Sequence, residues 1–84
     1  MNLSFLPDAW DDYLYWQKTD KKILKRVNEL IKATVREPFC GIGKPEPLKF
    51  ALINCWSRRI NAEHRLVYKI QDNNLIILQC CYHY

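Results

Sequence analysis

Residues 20–36 read DKKILKRVNELIKATVR, and the spacing within this stretch decides the fold. Five apolar residues and one threonine recur every three or four positions along it: Ile23, Leu24, Val27, Leu30, Ile31 and Thr34. That period places them on one side of an α-helix, and charged residues cover the other sides. Asp20 can cap the first turn, and Pro38 prevents the helix from continuing. The stretch therefore predicts an amphipathic helix with one buried side.

A strand and a shorter helix are predicted before this stretch. Residues 2–6 alternate between polar and apolar types, which is typical of a half-buried strand. Pro7 suits the first position of a helix, where its missing N–H group would have no partner. Helical spacing continues after it, so the apolar stripe of this helix is predicted at Trp10, Tyr13, Leu14 and Gln17.

The second half of the chain is predicted to form strands. Residues 37–47 contain both glycines and three of the four prolines, which predicts a surface loop without regular structure. Strand-like runs follow at about 48–60, 65–71 and 75–82, separated by short polar connections suited to hairpins. The order β-α-α-β-β-β predicts an α+β fold in which two helices pack on a twisted antiparallel sheet.

The size and composition indicate one soluble domain over residues 1–84. Hydrophobic residues make up 49% of the chain, which is too much apolar surface for a disordered protein. Apolar runs stay well short of the roughly 18 residues of a membrane-spanning helix. The first residues lack the basic region of a secretory signal. We therefore expect a cytoplasmic protein.

The net charge of the chain narrows the type of partner. The 13 Lys and Arg residues outnumber the 9 Asp and Glu residues, giving a net charge of +4. Such a balance favours nucleic acid, an anionic surface or an acidic protein as the partner. The alternative is that the lysines serve only solubility.

The four cysteines match neither the spacing of zinc ligands nor that of a redox pair: Cys40, Cys55, Cys80 and Cys81. We therefore expect no metal or cofactor and interpret the cysteines as reduced apolar side chains.

A short proline-rich segment holds the first candidate for chemistry. Glu46 lies in Lys44-Pro45-Glu46-Pro47-Leu48-Lys49, with a proline on each side and lysines flanking both. A carboxylate on so restricted a backbone loses little entropy when it must keep one position. The alternative is an ordinary solvated acid on a loop.

The remaining candidates are three arginines and the end of the chain. Arg58, Arg59 and Arg65 could bind a phosphate through paired hydrogen bonds, or could pair with a carboxylate such as Glu63 across two strands. The terminus supplies an imidazole and a phenol, although most chain ends only fray: His83 and Tyr84.

These residue types together suit the scission of RNA. Because RNA carries its own nucleophile in the 2′-OH, the reaction needs a base, an acid and cations around the phosphorus, and no metal. A terminal tyrosine could stack on a base. The alternative is a basic RNA-binding module without activity.

Six segments, in this order, form a specific pattern: AWDDYLYWQ at 9–17, PF at 38–39, GIGKPEPLK at 41–49, WSRRI at 56–60, HRLVY at 64–68 and YHY at 82–84. In these segments the chain resembles the YoeB/Txe family of bacterial toxins, within the RelE/ParE superfamily. The resemblance extends over essentially residues 1–84. It implies a compact, microbial-ribonuclease-like fold of the RelE type.

The resemblance also implies an activity and assigns roles by position. Members of the family cleave mRNA in the ribosomal A site and are neutralised by a YefM-type antitoxin. Glu46 would be the general base, His83 the general acid, Arg65 the stabiliser of transition-state charge, and Tyr84 would orient the substrate. Phosphate would be held by Lys49 and Arg59, together with Lys44 of the basic loop.

Further expectations concern products, assembly and alternatives. Products with a 2′,3′-cyclic or 3′ phosphate and a homodimer are implied by the family. An acidic or amphipathic antitoxin segment is expected to cover Glu46, Arg65 and His83, or to displace the C-terminal residues. The alternative function is non-enzymatic inhibition of DNA gyrase, as on the ParE side of the superfamily, which has no need for this set of residues.

One stretch departs from the family pattern. Residues 50–55 read FALINC, with Asn54 where relatives usually have glycine. If that glycine adopts a left-handed conformation, asparagine is the least costly replacement, so we expect the hairpin to survive. The added apolar residues bear on substrate preference and antitoxin specificity.

Overall fold

The computed structural model describes residues 1–49 and 54–82, which form two helices and one sheet of five strands. In chain order the elements are β1 (Asn2–Phe5), α1 (Pro7–Thr19), α2 (Lys21–Arg36), β2 (Glu46–Pro47), β3 (Cys55–Arg59), β4 (Arg65–Gln71) and β5 (Asn74–Gln79). The strands lie in the order β1-β5-β4-β3-β2. The predicted α+β class, with two helices packed on a sheet, is confirmed.

The sheet is mixed, and this corrects the prediction of a purely antiparallel one. β1 pairs with β5 in parallel, whereas the β2–β3, β3–β4 and β4–β5 pairs are antiparallel. A parallel pair needs a long connection, and the helices and three strands between β1 and β5 supply it. The first strand therefore covers the free edge of the last one.

Three predicted boundaries differ from the structure. β2 lies inside the segment predicted to be an irregular loop, because Glu46 and Pro47 pair with Ser57 and Trp56. The predicted strand at 48–60 begins only at Cys55 among the described residues, and its residues 50–53 lie outside them. β5 ends at Gln79 and does not continue to residue 82.

Helix α2 has the predicted form. The Asp20 carboxylate accepts hydrogen bonds from the backbone N–H groups of Lys22 and Ile23 at 3.1 Å, which is the expected N-cap. The helix ends at Arg36, before Pro38. The buried side comprises Val27, Leu30, Ile31 and Thr34, as the spacing predicted.

The buried side of α1 is only partly the predicted one, since Tyr13 packs against the core. Trp10 and Leu14 are 46% and 40% exposed, whereas Ala9 and Trp16 are buried. Ala9 has the small side chain that allows the helix to approach the sheet closely. The Trp16 indole N–H donates to the carbonyl of Cys80 at 2.7 Å, so its polar atom keeps a partner when the ring is buried. Aromatic residues occur on several sides of this helix, and their spacing alone does not distinguish these sides.

Two connections depend on residues that tolerate a positive φ. Asp72 and Asn73 have φ of 52° and 61°, which is the conformation of a type I′ hairpin between β4 and β5. Asn54 has a φ of 68°, which confirms that its position requires the left-handed conformation. In the described ranges, neither helix combines the length and the apolar character required to cross a membrane.

A bulge in β5 changes which residues face the helices. Val67 lies opposite Gln79 and Tyr68 lies opposite Ile77, so one residue of β5 has no partner between them. Ile77 faces the core before the bulge and Cys80 faces it afterwards. The chain after β5 is thereby directed toward α1.

Not all of the cysteines are the buried apolar side chains that we expected them to be. All four are free thiols. Cys55 and Cys80 are buried, and Cys81 is partly buried. Cys40 is exposed, because it lies in the loop after α2.

Candidate active site

Within residues 1–49 and 54–82, five polar side chains surround a small cleft with a volume of about 60 Å³: Lys44, Glu46, Ser57, Arg59 and Arg65. The cleft thus combines one carboxylate with three cationic side chains and a hydroxyl. Such a composition suits an anionic group that must also exchange a proton.

The strand registers explain why residues distant in the sequence meet here. Glu46 of β2 lies opposite Ser57 of β3. Arg59, two residues further along β3, lies opposite Arg65 of β4. Residues two apart on a strand share one face, so these two rows lie side by side on the same face of the sheet. The structure therefore brings Lys44, Glu46, Arg59 and Arg65, which were all proposed from the sequence, to one cleft.

Backbone hydrogen bonds fix the segment that carries Glu46. The N–H of Arg59 donates to the carbonyl of Gly43 at 2.6 Å, and the N–H of Leu48 donates to the carbonyl of Cys55 at 2.8 Å. Between these two bonds, Lys44 adopts a φ of 51°, which is uncommon for a residue with a side chain. The carboxylate of Glu46 is thus presented by a backbone that is held on both sides.

Arg58 does not belong to the phosphate-binding set, which corrects the prediction for that residue. Its side chain is fully buried. The guanidinium donates to the carbonyls of Glu37, Cys40 and Ile42 at 2.5–2.9 Å and to the Tyr68 hydroxyl at 3.3 Å. Alternation along β3 directs it away from the cleft. Its structural role is to hold the loop that leads from α2 to Glu46.

Arg65 is partly buried and is held by its neighbours. Its Nη1 donates to the carbonyl of Asn61 at 2.7 Å and to that of His64 at 3.1 Å. Over residues 1–49 and 54–82, neither Nε nor Nη2 has a hydrogen-bond partner. The predicted alternative was an ion pair between an arginine and Glu63, and it is not found among these residues. The Glu63 carboxylate instead lies 3.6 Å from Nε2 of His64.

The chain contacts Arg65 of the cleft again at Tyr82. His83 and Tyr84 lie outside the described residues, so their predicted roles stay predictions. Tyr82, the last described residue, donates its N–H to Nδ1 of His64 at 2.6 Å and accepts from the N–H of Arg65 at 2.7 Å. Lys49 is exposed and is not one of the five residues around the cleft.

Two residues that the sequence did not point to are Ser57 and His64. Ser57 lines the cleft, and its shared parity with Arg59 was a sequence signal for this position. His64 contacts Tyr82 through its ring, and nothing in the sequence around it indicated this contact.

A partly buried carboxyl and a buried thiol have pKa values that are shifted by their surroundings. Burial raises the pKa of the Asp12 carboxyl, although the N–H of Cys80 donates to it and acts in the opposite direction. Burial, with a smaller contribution from Asp12, raises the pKa of the Cys80 thiol to about 12. A thiol with that pKa is protonated at neutral pH and is not a nucleophile. In the described part of the chain, no group of three or more His, Cys, Asp or Glu residues is arranged to hold a metal ion.

The chain matches a known protein family over nearly its whole length. Residues 5–84 match the family described as "YoeB-like toxin of bacterial type II toxin-antitoxin system". The chain belongs to the YoeB toxin family. It is 61% identical over 84 residues to "Toxin YoeB" of Escherichia coli K12, and the match covers the whole of both chains.

Two solved structures of YoeB from Staphylococcus aureus share the fold. A YoeB dimer is 52% identical with a TM-score of 0.92, and a YoeB–YefM complex is 50% identical with a TM-score of 0.91. Each match covers 100% of this chain and 98% of the other. The present chain is accordingly a YoeB-family toxin of a type II toxin–antitoxin system.

Proposed function

We propose that this YoeB-family toxin is a ribosome-dependent mRNA interferase, an endoribonuclease that cleaves mRNA in the ribosomal A site and so inhibits translation in the cytoplasm. The observation that carries the proposal is the meeting of Glu46, Arg59 and Arg65 around one cleft. A base next to two guanidinium groups supplies two of the three parts that phosphodiester transfer by the 2′-OH requires, and the third is an acid.

The proposed reaction is a single displacement at phosphorus. Glu46 takes the proton of the 2′-OH as that oxygen attacks the adjacent phosphorus. Arg65 stabilises the charge on the pentacoordinate phosphorus, and Arg59 holds a non-bridging oxygen. His83 donates a proton to the departing 5′-oxygen, and Tyr84 orients the substrate. The products are a 2′,3′-cyclic phosphate, which can open to a 3′ phosphate, and a free 5′-OH.

The size of the cleft supports dependence on the ribosome. Pockets that enclose a small-molecule ligand commonly measure about 300–1,000 Å³. The present cleft has about 60 Å³, which is far below that range and suits a phosphate group better than a nucleoside. We therefore propose that the ribosome, and not a pocket of the toxin, positions the bases of the mRNA. Lys44 in the cleft and exposed Lys49 would bind the flanking phosphates.

The proposed partners follow from the charge and from the relatives. The chain carries a net charge of +4, and three cationic side chains line the cleft. We propose that a YefM-type antitoxin covers Glu46, Arg65 and His83 with an acidic or amphipathic segment, or displaces the C-terminal residues. A homodimer is proposed as well, since YoeB from Staphylococcus aureus has been solved as a dimer.

An in-vitro translation assay with primer extension on the mRNA tests the activity. Wild type is expected to give one cut per stalled ribosome, whereas Glu46→Gln and His83→Gln should lose cleavage and keep ribosome binding. Glu29→Gln is the matched control, because it makes the same chemical change on the exposed side of α2.

This assay, together with a gyrase supercoiling assay, separates the proposed nuclease from a ParE-like gyrase inhibitor. Intact mRNA with wild-type toxin, together with inhibition of DNA supercoiling by gyrase, would support the ParE-like function instead. Unchanged cleavage in Glu46→Gln would refute the role of that residue as the base.

A further inference from the structure

We propose that His64 is a positioning residue that holds the C-terminal segment at the cleft and, through it, places His83 for proton transfer. The inference rests on the proposed function, because it deepens the part played by the general acid. It concerns a residue that lies within hydrogen-bond distance of the segment and outside the reacting atoms.

The segment after β5 is first tied to helix α1. The backbone N–H of Cys80 donates to the Asp12 carboxylate at 3.0 Å, and its carbonyl accepts from the Trp16 indole at 2.7 Å. Cys80 itself is fully buried. These two bonds fix where the segment starts, three residues before His83.

His64 holds the segment again at its last described residue. His64 is buried, with 6% of its surface exposed, and Nδ1 accepts the N–H of Tyr82 at 2.6 Å. The N–H of Arg65 donates to the carbonyl of the same residue at 2.7 Å. Tyr82 has a φ of 61°, which residues other than glycine adopt rarely, so its conformation depends on these two bonds.

The hydrogen bond determines the chemical form of the His64 ring. A nitrogen that accepts an N–H carries no proton, so Nδ1 is unprotonated and the neutral ring has its proton on Nε2. Nε2 lies 3.6 Å from the Glu63 carboxylate, which can accept that proton's hydrogen bond after a small shift. The Trp16 and Tyr82 rings flank the imidazole at centroid distances of 4.7 Å and 5.3 Å and leave it little freedom to turn.

His83 follows Tyr82 directly in the chain. The hydrogen bonds of Tyr82 with His64 and Arg65 therefore hold the residue that immediately precedes the proposed general acid. A displacement of about 1 Å at a reacting group can lower a rate by about 100-fold. Loss of the His64 contact should therefore slow proton transfer more than it weakens binding to the ribosome.

Two substitutions separate the hydrogen bond from the bulk of the ring. His64→Asn places an amide oxygen close to the position of Nδ1, whereas His64→Leu fills a similar volume without an acceptor. With ribosomes loaded with mRNA, His64→Leu is expected to lower the single-turnover cleavage rate at least tenfold at an unchanged half-saturating ribosome concentration. His64→Asn should recover most of that rate. Ile31→Val, which alters the buried side of α2, serves as the control for lost stability.

A spectroscopic measurement tests the same contact without activity. In the wild type, the ¹⁵N shifts of the His64 ring should show an unprotonated Nδ1 and a protonated Nε2. The amide of Tyr82 should exchange with solvent slowly in the wild type and faster in His64→Leu. Equal exchange in two folded proteins would overturn the inference. A proton on Nδ1 of the wild type would overturn it even if the leucine variant failed to fold.

The outcomes also separate this inference from the proposed function. Cleavage by the wild type at the same rate as by His64→Leu would overturn the positioning role alone. Absence of cleavage by the wild type would overturn the proposed function and the role of His64 within it.

Discussion

Replacement of Arg58 by methionine tests how the loop before Glu46 is held. The substitution keeps an unbranched side chain of similar reach and removes the guanidinium. Four acceptors then lose their donor: the carbonyls of Glu37, Cys40 and Ile42, and the Tyr68 hydroxyl. Since Arg58 is fully buried, water cannot readily replace it.

The expected loss of stability is about 3–5 kcal/mol. A hydrogen bond to a charged group contributes about 1.5–3 kcal/mol, but four bonds to one guanidinium do not add fully. Removal of one partner from a buried ionic network commonly costs about 3–5 kcal/mol. An 84-residue domain has a total free energy of unfolding of about 4–13 kcal/mol, so the loss is a large part of it.

Urea titration followed by tryptophan fluorescence and circular dichroism measures this loss. Arg59→Met is the matched control, because it makes the same change at the exposed neighbouring position and should stay within about 0.5 kcal/mol of the wild type. A loss below about 1 kcal/mol for Arg58→Met, or one equal to that of the control, would refute the role given to the buried guanidinium.

Three further predictions concern single sites. Gly43→Ala should lose about 2–4 kcal/mol in the same titration, because its φ is 81° and an added Cβ would lie 2.7 Å from a Leu30 methyl group; a loss below about 1 kcal/mol would contradict this. Asn54→Gly should raise the free energy of unfolding by up to about 1 kcal/mol, because glycine adopts a φ of 68° without strain, and a decrease would be contrary to expectation. At pH 8 iodoacetamide should modify the exposed Cys40 in the native protein. Cys80 is buried and has a pKa of about 12, so it should be modified only after unfolding. Equal labelling of the two cysteines in the native protein, measured by mass spectrometry, would disprove the burial argument.

Features with a local cause could be predicted from the sequence. The period of residues 20–36 predicted α2 and its buried side, since an amphipathic helix is specified by its own spacing. A left-handed conformation at Asn54 was considered because the related family usually has glycine there, and the turn after β4 was expected from its polar residues. Alternation along β3 also explains why Ser57 and Arg59 share one face, and both line the cleft.

Features that depend on contacts between distant parts of the chain could not be predicted from the sequence. The parallel pairing of β1 with β5 and the short strand β2 are decided by partners elsewhere in the chain. Arg58 looked like a second phosphate ligand beside Arg59, because a sequence does not reveal loop carbonyls that converge on a buried guanidinium. The side of α1 that is buried was only partly predicted for the same reason, since Trp16 is placed by its bond to Cys80.

Analysis of the RNA ends tests the central claim most directly. The measurement is the chemical identity of both new ends after the toxin acts on mRNA in translating ribosomes. If Glu46 activates the 2′-OH, the upstream fragment ends in a 2′,3′-cyclic or 3′ phosphate and the downstream fragment begins with a 5′-OH. A 3′-OH paired with a 5′-phosphate would mean that water or another nucleophile attacks, and would contradict the reaction proposed for this cleft.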